Sequence, residues 1–282
     1  MAREDGIIDL HTHSTASDGQ YAPAEVAARA AAAGTRTWAL TDHDTVAGLE
    51  VAAEAAGALG MRFVPGIELS ALLDERRDSQ REIHVLGHFV DPVHPSLRAF
   101  EDLLAEHRRT RVHQIVKLLS GLGVHVTEEA IVACSGGKTI GRPHVARALL
   151  ATGVVGSVKE AFDRYLGEGR PAYVGRYRLL AEDAVKMIVL AGGVATLAHP
   201  GVSRVNPGEL PRLRAMGFDG VEAYHPDHPP EQAARYREAA DRNGMVCTAG
   251  TDYHGEIVAP DRFLGTASMD PAELGRLEAR RR

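Results

Sequence analysis

Apolar and polar positions follow two different patterns along this chain. In the first third, short apolar segments alternate with longer alanine-rich amphipathic segments, which is the pattern of repeated βα units. The pattern predicts strands at Ile7–Leu10, Thr37–Leu40, Arg62–Pro65 continuing into Gly66–Ser70, and Glu82–Val90, helices at Pro23–Ala33 and Gly48–Leu59, and a charged turn at Asp74–Gln80.

The middle of the chain has a helical pattern instead. Between Pro95 and about Leu166, helices are predicted at Leu97–Leu119, Glu128–Cys134, Arg142–Ala151 and Ser157–Leu166. The alternation then resumes, with strands at Val194–Leu197, Gly220–Ala223 and Met245–Ala249, and helices at Ala181–Ala191, Glu209–Met216, Glu231–Asn243 and Pro271–Arg281. We therefore predict an α/β protein in which one βα-type barrel or layered domain (residues 1–95 and 176–282) is interrupted by a helical insertion (residues 96–175).

Composition narrows the class of protein. The 282 residues are 44% hydrophobic and 25% charged, as in ordinary globular proteins, and can bury a sizeable core. The formal net charge of −6 argues against a broad basic face that binds DNA. The two cysteines, Cys134 and Cys247, are too few for a disulfide framework. Met1–Asp5 contains no apolar signal segment and no long apolar run follows, so we expect a cytoplasmic protein without membrane association.

Candidate chemistry is concentrated at the predicted strands. Because the carboxyl ends of barrel strands lie at one face, side chains that are distant in sequence converge there. Imidazoles and carboxylates are common ligands of Zn, Mn and Fe, and the histidines of an H-x-H segment project to the same side. A lone histidine after a strand is most often a hydrogen-bonded loop residue, but recurrence at six strands favours a metal site. The candidates are His11, His13, Asp18, His43, Glu68, His84, His199, Asp252 and His254, and His225 follows a further strand.

Other histidines and motifs do not join this pattern. Gly137-Lys138-Thr139 resembles the end of a phosphate-binding P-loop, but Val132 stands where the first glycine is required. The chain has neither the H-x-E…P-C-x-x-C signature of zinc deaminases nor a G-x-S-x-G nucleophile elbow. We predict surface or packing roles for His88, His94, His107, His113 and His125, and a solvated helix face for Arg108, Arg109 and Arg111.

The ordered motifs resemble the PHP (polymerase and histidinol phosphatase) superfamily over nearly the whole chain. They are DLHTHSTASDG at 9–19, LTDHDTVAG at 40–48, PGIELS at 65–70, IHVLGH at 83–88, LAHPG at 197–201 and GTDYHG at 250–255. The resemblance implies a distorted seven-stranded βα barrel that holds three divalent ions, with Mn²⁺ expected and Fe²⁺ or Zn²⁺ as alternatives. It also implies three ligand sets: His11, His13 and Asp252 with a bridging Glu68; Glu68, His84 and His199; and Asp18, His43 and His254.

The segment GRPHVARAL at 141–149 and the insertion resemble stand-alone phosphoesterases of this superfamily. That branch is similar to bacterial enzymes acting on nucleoside 3′,5′-bisphosphates and on 5′-phosphorylated RNA ends, which implies a small nucleotide or short RNA as substrate. Clustered divalent ions neutralise phosphoryl oxygens and activate water, so we predict in-line attack on phosphorus by a metal-bridging hydroxide. His225 and Asp252 are the candidates for the proton donor to the leaving group.

Arginine is the residue best suited to hold the remaining phosphate charge, because its planar fork bonds two oxygens at once. Arg142 and His144 begin a predicted helix, where free N–H groups already favour anions, and Arg170 and Arg176 are candidates for a second phosphate. Alternatively, Arg142 caps a surface helix and His144 packs. Two other functions stay open: hydrolysis of another substrate, such as histidinol phosphate or a C–N bond, and a non-enzymatic metal-stabilised module.

Overall fold

The computed structural model describes residues 6–73, 81–134 and 140–282, so the predicted turn at Asp74–Gln80 and the Gly137-Lys138-Thr139 segment lie outside the described residues. Within these ranges, eight strands form one sheet in the order β1-β2-β3-β4-β6-β7-β8, with β5 beside β3. The strands are β1 (Ile7–Asp9), β2 (Thr35–Leu40), β3 (Arg62–Leu72), β4 (Glu82–His88), β5 (Leu179–Leu180), β6 (Val194–Leu197), β7 (Gly220–Tyr224) and β8 (Val246–Ala249).

The seven main strands close into a barrel. The N–H of Leu10, just after β1, donates to the carbonyl of Ala249 at 3.0 Å, and Thr12 forms a parallel bridge with Tyr253. These contacts join the first strand to the last. The α/β class and the distorted barrel predicted from the sequence are therefore confirmed. β5 was not predicted, because a two-residue strand is too short to show an alternating pattern.

One strand runs against the others. β4 pairs antiparallel with both β3 and β6, whereas the remaining pairs in the ring are parallel. The amino-terminal half of β4 is therefore level with the carboxyl ends of its neighbours: His84 pairs with Ser70, and its carbonyl accepts from the N–H of Ala198 at 3.1 Å. The expectation that every strand points its carboxyl end to one face is wrong for β4, and this is why His84 lies inside its strand.

Helices cover the barrel and build the insertion. They are α1 (Pro23–Ala32), α2 (Leu49–Ala58), α3 (Pro95–Gly121), α4 (Glu128–Ala133), α5 (Arg142–Ala151), α6 (Val158–Ala161), α7 (Ala181–Leu190), α8 (Leu210–Met216), α9 (Pro230–Arg242) and α10 (Pro271–Glu278). The continuous helix predicted at Ser157–Leu166 is instead α6 followed by a π-helical turn at Phe162–Leu166. Among the described residues, no helix has both the length and the apolar content needed to span a membrane.

The chain divides into two compact units, the described parts of Met1–Arg98 with Arg178–Arg282, and those of Ala99–Tyr177. The barrel unit is filled by apolar side chains that alternate along its strands, such as Ile8, Val64 and Val246. The second unit has its own core, which includes Ile115, Leu119, Ile131, Val145, Leu149 and Leu166. Each unit thus buries an apolar core of its own, and the candidate metal ligands all belong to the first.

Candidate metal centre

Glu68 lies at the middle of the candidate site. It sits inside β3, is fully buried, and exchanges backbone hydrogen bonds with the segment after β2, namely with Asp42 and Asp44. Five imidazole nitrogens face its two carboxylate oxygens. Oε2 lies 3.3 Å from His11, 3.1 Å from His13 and 3.0 Å from His43, while Oε1 lies 2.8 Å from His84 and 3.2 Å from His199. A carboxylate with ring nitrogens at both oxygens has the geometry of a bridging ligand.

The first group of ligand atoms combines the H-x-H segment with the last strand. His11 Nε2 and His13 Nε2 are 3.1 Å apart, and both face Asp252 Oδ1, at 3.4 and 3.2 Å. With Glu68 they form one of three groups in which ligand atoms lie within 4.8 Å of one another. These are the residues that the family resemblance assigned to one ion.

The second group lies on the more exposed side of the site. His254 Nε2 is 3.2 Å from Asp18 Oδ1, and Asp18 is also 3.8 Å from both His13 and His43. His13 therefore joins the predicted set of Asp18, His43 and His254. Asp18 has a side chain that is 56% exposed, so this group is open to solvent and to a substrate.

The third group differs from the predicted set. The structure brings His43, Glu68 and His84 together, with His43 shared between two groups. His199 is at the same carboxylate oxygen as His84 but outside the 4.8 Å group. All nine predicted ligands nevertheless contact one another in one connected cluster, and their roles as ligands stay a prediction.

Backbone strain marks two of these positions. Asp252 has φ +50° and His199 has φ +22°, in the left-handed region that non-glycine residues rarely adopt. Such conformations cost on the order of 1–3 kcal/mol and persist where the surrounding structure holds them. Here Asp252 follows β8 and His199 follows β6, and both side chains point toward Glu68.

The donor set fits divalent cations. Five ring or carboxylate atoms in the cluster are buried without a hydrogen-bond partner: His13 Nδ1, His43 Nδ1, Glu68 Oε2, His199 Nδ1 and His225 Nε2. Buried polar atoms without partners are costly, and two imidazole nitrogens 3.1 Å apart cannot both carry a proton comfortably. Nitrogen and oxygen ligands of this kind suit Mn, Fe or Zn.

The charges of the cluster also suit bound cations. Burial alone would raise the pKa of the Glu68 carboxyl, but the surrounding imidazoles, His43 foremost, hold it well below the usual range. Burial lowers the pKa of His43 to about 3, so this ring is neutral, as a metal ligand must be. Burial would also lower the pKa of His84, yet the Glu68 carboxylate outweighs it and raises that pKa to about 10. A cation binding at His84 must therefore displace a proton.

Two residues beside the cluster, Glu222 and Arg262, hold its members in place. Glu222, in β7, is fully buried, contacts His11 Nδ1 through Oε1 at 3.0 Å, and accepts from the N–H of His199 through Oε2 at 2.8 Å. Arg262 donates to Asp252 Oδ2 and to Asp227 Oδ2, the latter at 2.7 Å. Neither residue was predicted from the sequence. A charged residue inside a predicted buried strand was the available signal for Glu222, whereas Arg262 lies in a loop that gives no signal.

His225 is buried next to Asp252. Its Nδ1 accepts from the N–H of Asp227 at 3.1 Å, and its Nε2 lies 3.6 Å from Asp252 Oδ2. His88, by contrast, is a buried packing residue as expected: its ring bonds the carbonyl of Leu10 at 3.0 Å and lies 3.3 Å from the Thr196 hydroxyl.

The predicted phosphate-binding residues lie in the second unit. Arg142 Nη1 donates to the carbonyl of Leu166 at 3.2 Å, and His144 Nδ1 accepts from the N–H of Gly141, which caps α5. Arg170 and Arg176 are exposed. The role of these four residues in binding stays a prediction.

The predicted solvated face of α3 is correct only in part. Arg109 is exposed and pairs with Glu106 at 2.8 Å. Arg108 and Arg111 are half-buried, and Arg111 Nε donates to the carbonyl of Val174 at 2.9 Å. The difference follows from helix geometry. Arg108 lies one turn after the buried Leu104 and Arg111 one turn before the buried Ile115, whereas Arg109 lies beside this row.

The family model of the PHP domain matches residues 9–195. A 3′,5′-nucleoside bisphosphate phosphatase of Chromobacterium violaceum is 36% identical over 88% of this chain and 87% of its own. A phosphoribosyl 1,2-cyclic phosphate 1,2-diphosphodiesterase of Eggerthella lenta is 36% identical over 89% and 95%. The 5′-3′ exoribonuclease Rnm of Salmonella typhimurium is 31% identical over 88% and 85%.

Solved structures agree with this fold. A crystal structure from Bifidobacterium adolescentis, assigned as a metal-dependent phosphoesterase, superimposes with a TM-score of 0.74 at 29% identity, covering 97% of this chain and 96% of that one. The protein is thus a metal-dependent phosphoric ester hydrolase. It belongs to the PHP domain family.

Proposed function

We propose that this protein hydrolyses a phosphate monoester of a nucleotide, chiefly the 3′-phosphate of nucleoside 3′,5′-bisphosphates, and that 5′-phosphorylated RNA ends are a second substrate. The observation that carries the proposal is the Glu68 cluster, in which one buried carboxylate meets five imidazoles through both of its oxygens. A cluster of this size suits several neighbouring ions, about three, with Mn²⁺ first and Fe²⁺ or Zn²⁺ as alternatives. Relatives named for nucleotide and RNA substrates support the choice of substrate. We place the reaction in the cytoplasm, where such substrates are found.

Bound divalent ions would supply Lewis-acid neutralisation of the phosphoryl oxygens and activation of water at neutral pH. The nine side chains of the cluster, from His11 to His254, would hold them. Asp18 and His43 lie on the solvent side and leave room for a phosphoryl group, while Glu222 and Arg262 keep His11 and Asp252 in position.

We assign the proton transfer to the leaving alcohol to His225. The donor is the imidazolium form of the ring, whose Nδ1 lies 4.0 Å from Asp227 Oδ2 and whose Nε2 lies 3.6 Å from Asp252 Oδ2. Loss of the Nε2 proton to the alcohol leaves a neutral imidazole. Asp252 would thus use Oδ1 toward His11 and His13 and Oδ2 to orient the donor. General acid catalysis of this kind contributes about 10²–10⁴-fold in rate.

The test is hydrolysis of a panel of esters by the Mn²⁺-supplied protein, followed as release of inorganic phosphate or, for the oligoribonucleotide, of nucleoside 5′-monophosphate. The panel contains a nucleoside 3′,5′-bisphosphate, a nucleoside 3′-monophosphate, a 5′-phosphorylated oligoribonucleotide, phosphoribosyl 1,2-cyclic phosphate and histidinol phosphate. We expect the highest kcat/KM for the bisphosphate. Preference for the cyclic diester or for histidinol phosphate would contradict the proposed substrate, and no release from any ester would favour a non-enzymatic module.

A pair of variants tests the proton donor. His225→Gln removes the proton and is expected to lower kcat for the bisphosphate by 10²-fold or more, on the order of the usual contribution of a general acid. His107→Gln serves as the matched control, because His107 stacks on Tyr177 in the other unit at 4.6 Å between ring centroids. Equal activity of the two variants would remove His225 from the mechanism.

A further inference from the structure

One arginine of the second unit is half-buried, and one of its donor atoms is buried without a partner. Arg111 lies on the side of α3 that carries the core residues Val112, Ile115 and Leu119. Its Nε donates to the carbonyl of Val174 at 2.9 Å, but its Nη2 is buried and has no hydrogen-bond partner. A buried charged donor without an acceptor is unfavourable, so such a group calls for an explanation.

The charges around Arg111 make its position more costly. Burial, followed by the guanidinium of Arg142, lowers the pKa of Arg111 to about 10, and Arg176 and Arg108 act in the same direction. The largest charge effects on this side chain include three arginines and no carboxylate. Several like charges gathered around a half-buried guanidinium are unfavourable unless an anion joins them.

Arg142 is held in a fixed orientation beside this group. Its guanidinium lies 5.3 Å from the ring centroid of Tyr173 and 5.9 Å from that of Phe162, and Nη1 donates to the carbonyl of Leu166. Cation–π contact with aromatic rings restricts the guanidinium while its remaining N–H groups stay available. Tyr173 precedes Val174, the residue that holds Arg111, so one short segment positions both arginines.

We propose that the guanidinium groups of Arg111 and Arg142, with Tyr173 beside them, form a binding site for the phosphate group of a nucleotide within the second unit. The chemistry of the site selects this ligand. A phosphate dianion accepts several charged hydrogen bonds at once and can neutralise two guanidinium groups, which a carboxylate with one charge cannot. That the phosphate belongs to a nucleotide rests on the proposed function, whereas the affinity of the site for phosphate does not.

Arginine labelling of the metal-bound, full-length protein tests the site directly. Phenylglyoxal modifies accessible guanidinium groups, and peptide mass spectrometry gives the labelling rate of each arginine. We expect inorganic phosphate to slow the labelling of Arg142 and Arg111 severalfold, and a nucleoside 5′-monophosphate to do so at lower concentration. Arg109, exposed on the same helix, is the internal control and should label at the same rate throughout.

Equal labelling of Arg142 and Arg111 with and without either ligand overturns the site. Protection by inorganic phosphate alone, with none from the nucleotide, overturns the assignment to a nucleotide. The Arg111→Gln variant adds a second check, because Arg142 in this variant should no longer be protected. The wild-type labelling decides the question even where that variant does not fold.

Affinity measurements separate this site from the catalytic proposal. Loss of one charged hydrogen bond corresponds to a fall in affinity of roughly 10- to 100-fold. We expect Arg111→Gln to bind a nucleoside 5′-monophosphate more weakly by this factor, while Arg109→Gln binds it as the wild type does. Equal affinity of Arg111→Gln and the wild type overturns the site. Protection without bisphosphate hydrolysis would contradict the proposed function and leave the site standing.

Discussion

Glu222 is predicted to control metal affinity without touching a metal. One of its oxygens contacts His11 Nδ1 at 3.0 Å, and the other accepts from the N–H of His199 at 2.8 Å. With His11 Nδ1 as the donor, the lone pair of Nε2 is left to face His13, Glu68 and Asp252. A carboxylate can serve both donors, because it offers two acceptor oxygens.

The Glu222→Gln substitution keeps the shape of the side chain but removes one of its two acceptor oxygens. An amide has one oxygen and one NH₂ group, so it leaves either the His11 ring or the His199 N–H facing another donor. The site responds by losing a buried hydrogen bond, at a cost of about 1–3 kcal/mol, or by moving the His11 proton to Nε2, where it blocks the lone pair. Residues that orient metal ligands in this way typically change metal affinity by about 10–100-fold.

Competition with a fluorescent chelator measures the effect. We expect the Mn²⁺ dissociation constant of Glu222→Gln to rise by about 10–100-fold over that of the wild type. Glu238→Gln is the matched control, since Glu238 is an exposed partner of Arg242 on α9. If Glu222→Gln and Glu238→Gln bind Mn²⁺ equally well, the idea that Glu222 orients His11 for metal binding is refuted.

Two further predictions concern the cluster and the barrel. Glu68 belongs to two of the three groups and His84 to one, so Glu68→Ala should lower the metal content more than His84→Ala does. Elemental analysis measures the content, which His107→Ala should leave unchanged. Equal losses in Glu68→Ala and His107→Ala would contradict the site. Burial lowers the pKa of His88 to about 4, below an unfolded value of about 6.5, so the unfolded state binds the proton first as the pH falls. The stabilisation is complete above pH 6.5 and is lost toward pH 4, by about 3 kcal/mol. Urea unfolding of the chelator-treated protein at pH 7 and pH 5 should show about 2 kcal/mol of this loss in the wild type and less in His88→Gln, and equal pH dependence of the two proteins would refute it.

The sequence predicted the barrel and the residues that cluster in it because both depend on local patterns. Strands alternate with amphipathic helices, and ligand types follow the strands. The position of His84 inside β4 required the antiparallel direction of that strand, which pairing decides and local pattern does not. The partial burial of Arg111 depends in the same way on packing within the second unit, where the segment at Val174 lies against α3.

Residues that contact the candidate ligands, and not a metal, were harder to predict. Glu222 contacts His11 from a position 211 residues away, and Arg262 contacts Asp252 from a loop without a motif. Only the folded chain brings these residues to the predicted ligands. The sharing of His13 and His43 between groups likewise depends on distances of a few ångströms that spacing along the chain does not specify.

Elemental analysis of the protein purified after expression with added Mn²⁺ tests the central claim most directly. Three groups of ligand atoms around Glu68 predict about three divalent ions per chain, and Glu68→Ala should lose most of them. One ion or fewer in the wild type, or a full complement in Glu68→Ala, would contradict a multinuclear centre bridged by Glu68.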